Sequence, residues 1–271
     1  MNPREGNARM ASEDSTGSLR PVAVPEGTSL VGQAVIVTGA AQGLGARIAQ
    51  VLGRAGARIV LADLKEGAAR DGAAALEREG IDAHAAGVDV GDEAQVEALV
   101  AMVRERYGRL DVLVNNAAID ITAPIAELAG ADWERVIRTN LTGPFLMARH
   151  AAAAMALGEP RRVAGHIVNI ASTASKRAWP NASAYHASKW GLLGLSHALH
   201  AELRPRGIKV SAIVAGGMRT PFLLDRFADI DVETLQDPAH VARAVHFVLT
   251  QPEETVIPEL MVLPMRETSW P

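Results

Sequence analysis

The sequence predicts an α/β fold: a doubly wound, seven-stranded parallel sheet in a single domain, with helices on both faces. From residue 31 onward, short aliphatic runs alternate with longer Ala-rich amphipathic segments, a spacing typical of repeated strand and helix units. Most of the short runs are apolar throughout and do not alternate with polar residues. Such runs indicate strands buried on both faces, and therefore parallel strands that lie between two layers of helices.

Seven short runs are the candidate strands, and six longer segments are the candidate helices. The strands are expected at residues 34–37, 58–62, 83–88, 112–115, 166–170, 209–214 and 259–263. The helices are expected at residues 44–53, 66–79, 93–107, 132–155, 182–203 and 238–250. Right-handed crossovers through these helices give the doubly wound topology.

Two of these helices have clear start signals. Asp92 and Gln95 resemble a capping box, and Gly108 follows the expected end of that helix. Asp237 and Pro238 combine an N-cap residue with a proline in the first turn, so they are expected to open the last helix.

The composition narrows the class of function. Of the 271 residues, 48% are hydrophobic and 21% are charged, as in a globular protein with a large core. The absence of cysteine excludes disulfides, thiolate metal sites and cysteine nucleophiles. A net charge of -4 gives no electrostatic reason to expect nucleic acid or a membrane surface as partner. No run approaches the roughly 18 apolar residues of a membrane-spanning helix, so we expect a small-molecule partner.

Residues 1–29 are expected to be a flexible N-terminal tail, because they are polar and contain no apolar stretch. The same polarity argues against a secretory signal, and the acidic residues argue against a mitochondrial presequence, so we expect a cytoplasmic protein. The predicted strands and helices use nearly all of residues 30–271. The active site is therefore expected in loops at the carboxyl ends of the strands, with residues 216–236 as the longest candidate for a lid.

A glycine-rich turn joins the first strand to the first helix. It contains Gly39, Gln42, Gly43, Leu44 and Gly45, in a G-x-x-x-G-x-G spacing. Glycines at such a turn let the backbone approach a pyrophosphate, whose charge is met by the free amide groups of the helix. A tight turn with close helix packing is the simpler interpretation. The favoured interpretation is a dinucleotide site.

Asp63 ends the second strand, eighteen residues after Gly45. An acidic residue at about this distance accepts hydrogen bonds from the adenosine ribose and repels a 2′-phosphate. Gln42 brings no compensating positive charge, so the sequence favours NAD over NADP. Alternatively, Asp63 caps the following helix, and the nearby Lys65 softens the repulsion.

Tyr185 and Lys189 lie four residues apart on one face of a predicted helix, and Ser172 ends the fifth strand. A phenol with a pKa near 10 needs a fixed cation beside it to act as a base at neutral pH. A lysine about 5 Å away would lower the phenol pKa by about 2 units at an effective dielectric constant of about 20. The serine hydroxyl can hold the substrate oxygen. Such a pair is usually structural, but the glycine-rich turn favours catalysis.

Taken in order, these motifs resemble the short-chain dehydrogenase/reductase family in its single-domain, Rossmann-fold form. The resemblance covers about residues 31–263 and includes the turn, Asp89-Val90, Asn115-Asn116-Ala117-Ala118, Asn140, Ser172, Tyr185 and Lys189. It implies that Tyr185 is the general acid and base, that Lys189 lowers its pKa and binds the nicotinamide ribose, and that Ser172 orients the substrate. The backbone of Asn140 is implied to position a water in a proton relay.

The resemblance also implies further cofactor contacts. Asp89 and Val90 are expected to contact the adenine, and Thr220 the carboxamide of the nicotinamide. Asn116 is expected to support the wall of the site on the cofactor side. The chain departs from the family pattern at Ala118, where the family usually has a glycine. Ala215 followed by Gly216 replaces the usual Pro-Gly beside the nicotinamide.

Three apolar residues on predicted loops flank the expected site: Trp179, Met218 and Phe222. They either line a substrate pocket or pack the lid. The histidines show no pairing with acidic residues at metal-ligand spacing, so no metal is expected. The Ala-rich helices at 132–155 and 182–203 resemble those that form the family's subunit interfaces, which predicts a homodimer or homotetramer.

The favoured function is hydride transfer between NAD and a secondary alcohol or ketone. One alternative is a 3-oxoacyl-thioester (acyl-carrier-protein) reductase that uses NADPH. Another is a catalytically silent, dinucleotide-binding regulatory protein, against which the complete Ser, Tyr and Lys set argues. A serine hydrolase using Ser172 or Ser196 would need an oriented His and acid that the sequence does not place.

Overall fold

A computed structural model describes residues 29–156, 163–227 and 229–267. Its strands form one parallel sheet in the order β3-β2-β1-β4-β5-β6-β7. They are β1 (Ala34–Thr38), β2 (Arg58–Asp63), β3 (Ala83–Gly87), β4 (Val112–Asn115), β5 (Gly165–Ser172), β6 (Ile208–Ala215) and β7 (Glu259–Val262). The predicted fold class is confirmed. The predicted tail lies, apart from Ser29, outside the described residues.

The described part of the chain contains eight α-helices around this sheet. They are α1 (Gly43–Arg54), α2 (Glu66–Arg78), α3 (Glu93–Tyr107), α4 (Gly130–Ile137), α5 (Gly143–Met155), α6 (Ser183–Leu203), α7 (Pro221–Leu224) and α8 (Pro238–Leu249). The predicted caps of α3 and α8 are present: the Asp92 side chain accepts from the backbone N–H of Gln95, and Asp237 accepts from that of Ala239. Each bond satisfies an amide that the first helical turn leaves free.

The predicted continuous helix at 132–155 is wrong in one respect. A π-helical turn, Arg138–Thr142, separates α4 from α5. Pro144 has no N–H to donate to the Asn140 carbonyl four residues earlier, and its ring would crowd that carbonyl. The wider turn accommodates the proline, as the bond from the Gly143 N–H to the Arg138 carbonyl shows.

Alternating residues of each central strand pack on opposite faces of the sheet. In β1, Val35 and Val37 belong to the core under α1, α2 and α8, whereas Ile36 belongs to the core under α3 and α5. All five residues of β1 are buried, which explains its continuously apolar sequence.

The position of the site follows from the strand order. The chain moves outward from β1 to β3 in one direction and from β4 to β7 in the other, so the sheet reverses its winding between β1 and β4. In such sheets the crevice opens beyond the carboxyl ends of the two strands at the reversal point. The loops that follow β1 and β4 must therefore line the crevice.

Candidate active site

A cavity of about 1010 Å³ opens at this carboxyl edge. Apart from Asn140, all predicted site residues line it. On the cofactor side these are Gly39, Gln42, Gly43, Leu44, Gly45, Asp63, Asp89, Val90, Asn116, Gly216 and Thr220; on the substrate side they are Ser172, Trp179, Tyr185, Lys189, Met218 and Phe222. Pockets for small ligands commonly measure about 300–1,000 Å³, so this one lies at the upper end of that range.

The glycine-rich turn has the close approaches that its sequence predicts. Gly39 has a φ of +64°, and a Cβ there would lie 2.8 Å from the Ala117 Cα. A Cβ on Gly45 would collide with the Gly39 carbonyl oxygen. No side chain among the described residues caps the first turn of α1, so its amides remain available to an anion. This cradle fits a pyrophosphate.

Asn116 ties the turn to β4. Its side-chain Nδ2 donates to the Thr38 carbonyl at 2.8 Å and to the Gly39 carbonyl at 3.1 Å. Its backbone N–H meets the Thr38 hydroxyl oxygen at 3.0 Å. Asn116, the residue directly after β4, therefore fixes the backbone that follows β1.

Asp63 is held rigidly at the end of β2. One carboxylate oxygen accepts from the Ala41 N–H at 3.0 Å, and the other accepts from the Lys65 N–H at 2.9 Å. No described side chain caps α2, whose N-cap residue is Lys65. Asp63 therefore organises the approach to α2 and places a carboxylate beside the cavity.

Asp89 and Val90 lie on the same cofactor side, after β3. Asp89 Oδ2 pairs with Arg138 Nη2 at 2.9 Å, and its Oδ1 accepts from the Gly91 N–H at 2.9 Å. Val90 is buried at the cavity wall. Arg138, which sequence reasoning missed, also lines this wall.

Ser172, Tyr185 and Lys189 come together where β5 ends beside α6. The Lys189 Nζ lies 5.7 Å from the centroid of the Tyr185 ring and donates to the Ile170 carbonyl at 2.8 Å. Both the Tyr185 and Lys189 side chains are buried. The Ser172 hydroxyl oxygen accepts from the Ala174 N–H at 3.1 Å. The helical spacing thus places phenol, ammonium and hydroxyl in one corner of the cavity.

The expected lowering of the phenol pKa is wrong for the protein without its ligands. Burial raises the pKa of Tyr185 to about 12, although a hydrogen bond with Ser172 acts in the opposite direction. Burial also lowers the pKa of Lys189 to about 8. A medium of low dielectric constant favours the neutral form of both groups, and burial is the largest cause of both shifts.

Asn140 lies in the π-helical turn and does not contribute its side chain to the cavity wall. That side chain is fully buried; it accepts from the Ile119 N–H and donates to the Ile119 carbonyl, both at 2.8 Å. It also donates to the Ser188 hydroxyl at 3.0 Å. Asn140 therefore joins the loop after β4 to helix α6.

The loop after β6 is held by an acidic residue that sequence reasoning missed. Gly216 N–H donates to the Val262 carbonyl at 2.9 Å, and Gly217 N–H donates to Glu267 Oε2 at 3.1 Å. Glu267 follows the last strand outside any motif, so the sequence carried no signal for it. It constrains the loop where the usual proline is replaced by Ala215.

Helix α6 also positions the loop that carries Trp179. The Trp179 N–H donates to His186 Nε2 at 3.1 Å, so His186 Nδ1 is the nitrogen that donates to the Ala174 carbonyl, at 3.0 Å. The two rings meet edge to face, 4.3 Å between centroids. His186 therefore faces this loop, while its neighbour Tyr185 faces the cavity.

A buried ion pair is the other feature that sequence reasoning missed. Arg226 Nη1 lies 2.7 Å from Asp120 Oδ2, and the Asp120 side chain is only 6% exposed. The Arg226 guanidinium lies 4.1 Å from the centroid of the Phe222 ring. Asp120 follows the Asn115–Ala118 motif at the end of β4. This position is the sequence feature that could have identified Asp120 as a site residue.

The described residues contain no group of three or more His, Asp and Glu side chains that could hold a metal ion. Within the same residues, no helix is long and apolar enough to cross a membrane.

Comparisons with known proteins agree with this geometry. Residues 33–231 match the family model described as short chain dehydrogenase. An uncharacterized oxidoreductase of Thermotoga maritima is 40% identical over 191 residues, which cover 70% of this chain and 73% of that protein. A putative ketoacyl reductase of Streptomyces coelicolor is 40% identical over 201 residues, 73% of this chain and 76% of that protein.

A solved structure is similar over more of the chain. The crystal structure of a variant of actinorhodin polyketide ketoreductase with NADPH has a TM-score of 0.80 and 34% sequence identity. The match covers 87% of this chain and 97% of that one.

Proposed function

Since the chain belongs to the short-chain dehydrogenase/reductase family and is an NAD(P)-dependent oxidoreductase acting on CH–OH groups of small molecules, we propose that Tyr185, Ser172 and Lys189 carry out the proton transfer. One observation carries this proposal. The three side chains meet in the cavity that also contains the glycine-rich cradle.

The nicotinamide, when bound, supplies or takes up the hydride. In ketone reduction the neutral Tyr185 phenol donates its proton to the carbonyl oxygen, and the Ser172 hydroxyl donates a hydrogen bond to the same oxygen. The Lys189 ammonium would bind the nicotinamide ribose and stabilise the phenolate left on Tyr185. In alcohol oxidation the phenolate accepts the hydroxyl proton.

Asn140 is proposed to act in the proton relay through its backbone. Pro144 cannot donate to the Asn140 carbonyl, so this carbonyl has no α-helical partner. The Asn140 side chain fixes the turn by bonding Ile119 and Ser188. A water held at the carbonyl would then return a proton to Lys189 and Tyr185.

The remaining cofactor contacts are proposed from their positions in the wall. Gly39, Gln42, Gly43, Leu44 and Gly45 would hold the pyrophosphate, and the other contacts would come from Asp63, Asp89, Val90, Asn116, Gly216 and Thr220. We propose NAD as the preferred cofactor, because the fixed Asp63 carboxylate would repel a 2′-phosphate. The related ketoreductase structure contains NADPH. Measuring kcat/KM with NADH and with NADPH therefore tests the proposed preference for NAD. A kcat/KM at least tenfold higher with NADPH would overturn this preference.

Reduction of a 3-oxoacyl thioester with NADPH is the second candidate function. The names of the Streptomyces coelicolor relative and of the similar solved structure favour it. A 3-oxoacyl thioester that is reduced much faster than simple ketones, and faster with NADPH than with NADH, would favour this candidate.

Turnover of a substrate panel tests the proposal directly. Secondary alcohols and ketones are mixed with oxidised or reduced cofactor, and the absorbance of the reduced nicotinamide is followed. We expect turnover of several compounds. Binding of the cofactor without turnover of any panel member or thioester would favour the regulatory alternative.

The exposed aromatic residues support a proposed homodimer or homotetramer. Trp133 on α4, Phe145 on α5 and Trp190 on α6 are 38%, 44% and 53% exposed. Aromatic side chains are enriched at interfaces between proteins, and these lie on the helices that the sequence predicts to be interfacial.

A further inference from the structure

A charged pair interrupts an otherwise apolar part of the substrate side of the cavity. Asp120 and Arg226 line the cavity together with the apolar residues Ile121, Trp179, Phe222, Phe227 and Ile230. Asp120 follows β4 and Arg226 follows α7, so the pair joins the floor of the cavity to its lid. Neither residue has a role in the proton transfer proposed above.

The pair lies close to the reacting group. The Phe222 ring lies 5.9 Å from the Tyr185 ring, centroid to centroid, and the Arg226 guanidinium lies 4.1 Å from the centroid of the same Phe222 ring. Burial is the main cause of the raised Tyr185 pKa, but Asp120 raises this pKa further and Arg226 lowers it. The pair is therefore within reach of a substrate held at Tyr185.

The pair has hydrogen-bonding capacity that no described residue uses. Asp120 Oδ1 is buried and has no hydrogen-bond partner of good geometry within the described part of the chain. Burial raises the pKa of this carboxyl, although the nearby Ile121 N–H acts on it and lowers its pKa. Arg226 Nε is likewise buried without an acceptor there. Leaving a buried polar atom without a partner is costly, more so when the group is charged. An oxygen and an N–H are thus both available within one ion pair.

We propose that Asp120 and Arg226 form a subsite for a hydroxyl group of the substrate, separate from the carbonyl or alcohol that reacts at Tyr185. This inference rests on the proposed function and narrows the substrate class to hydroxyketones and diols. The hydroxyl donates to Asp120 Oδ1 and accepts from the Arg226 guanidinium after a small rearrangement of the lid.

The charge balance favours a hydroxyl over an ionised group. Arg226 already compensates Asp120, so a substrate carboxylate would have to displace Asp120 and leave it buried without its cation. A substrate ammonium would compete with Arg226 in the same way. A hydroxyl is neutral, and it both donates and accepts, so it matches these two atoms without replacing either member of the pair.

Matched cyclohexanones test the subsite. Cyclohexanone, 3- and 4-hydroxycyclohexanone, 4-oxocyclohexanecarboxylate and 4-aminocyclohexanone are compared by kcat/KM and, with cofactor present, by titration calorimetry. We expect one hydroxyketone to exceed cyclohexanone about 10- to 100-fold in kcat/KM, as expected for a hydrogen bond to a charged group.

Substitutions at Asp120 test whether this residue causes the preference for hydroxylated ketones. Asp120→Leu removes the acceptor and keeps the branching at Cγ, and we expect the hydroxyketone-to-cyclohexanone ratio of kcat/KM to fall to about one. Asp120→Asn keeps an acceptor oxygen, so this ratio should fall less. Asp225→Asn changes an exposed carboxylate beside Arg226 and is the matched control; the ratio should remain within about twofold of the wild-type value.

The outcomes separate this inference from the proposed function. Equal kcat/KM or equal dissociation constants for the hydroxylated and plain ketones overturn the subsite and leave the oxidoreductase chemistry intact. Preference for the carboxylate or the amine, or a hydroxyl preference that survives in both Asp120 variants, also overturns it. If the ketones bind but none is reduced, the calorimetric comparison still decides the subsite, whereas the proposed turnover fails for this panel.

Discussion

The buried phenol of Tyr185 determines which direction of the reaction is easier at neutral pH. Its pKa of about 12 keeps the phenol protonated at pH 7, which is the form that reduction of a ketone needs. Oxidation needs the phenolate. At pH values below the pKa, the phenolate population in the free protein grows about tenfold for each unit by which the pH rises.

The two directions should therefore differ in their pH dependence. We expect kcat/KM for oxidation to rise between pH 7 and pH 10, and kcat/KM for reduction to be nearly constant over the same range, because the phenol stays protonated well below a pKa of about 12. Steady-state rates measured in both directions across this range check the prediction. An oxidation rate that is independent of pH over three units would contradict it.

Motif order made most individual site residues predictable. Tyr185, Lys189 and Ser172 have a spacing that only one helical face and one strand end can satisfy. Asp120, Arg226 and Glu267 were missed for a different reason: their partners lie 106, 106 and 50 residues away in sequence, and no short-range pattern records such contacts. The phenol pKa was missed because burial depends on the whole cavity wall.

At the scale of secondary-structure elements, the turn between β1 and α1 depends on Gly45. Gly45→Ala places a methyl group against the Gly39 carbonyl, so the turn must open. We expect the dissociation constant of the cofactor to rise by at least about tenfold, measured by fluorescence titration. Gly67→Ala is the control, because a Cβ at Gly67 meets no atom within 4 Å. Equal cofactor affinity in Gly45→Ala and wild type would show that the turn does not hold the cofactor.

The pairing of β5 with β6 contains a histidine that should make the fold sensitive to acid. Burial, with a smaller contribution from Lys209, lowers the pKa of His166 to about 3. The unfolded chain binds a proton near pH 6.5 and the folded chain does not, so the stability supplied by neutral His166 is complete above pH 6.5 and decreases as the pH falls toward 3.

Denaturant unfolding at pH 7.5 and pH 4.5 measures this contribution. Between pH 7.5 and pH 4.5, we expect the free energy of unfolding to decrease by about 3 kcal/mol less in His166→Gln than in wild type, since each pH unit below 6.5 corresponds to about 1.4 kcal/mol. The exposed His240→Gln is the control and should resemble wild type. The same acid dependence in His166→Gln and wild type would exclude His166 as its source.

All seven strands were predictable because each is a short apolar run between polar turns. The π-helical turn between α4 and α5 was not predicted, because the hydrophobic pattern of the helix continues through it. Pro144 changes the backbone hydrogen bonding there without changing that pattern. The short α7 was also missed: its four residues are too few to show any periodicity.

On the scale of the whole molecule, the exposed aromatic residues of α4, α5 and α6 predict self-association. Light scattering at micromolar concentration should give the mass of a dimer or tetramer. Trp190→Glu places a charge on the proposed interface, and we expect it to lower the mass toward that of the monomer. A monomeric wild-type protein would contradict the proposed assembly.

The whole account depends on a buried phenol that exchanges a proton beside the bound dinucleotide. Removing only the phenolic oxygen in Tyr185→Phe tests this most directly, with turnover and cofactor affinity measured on the same preparation. We predict that kcat falls by at least about 1,000-fold, while the dissociation constant of the cofactor, measured by fluorescence titration, stays within about threefold of wild type. Turnover by Tyr185→Phe at a rate close to that of wild type would contradict the account.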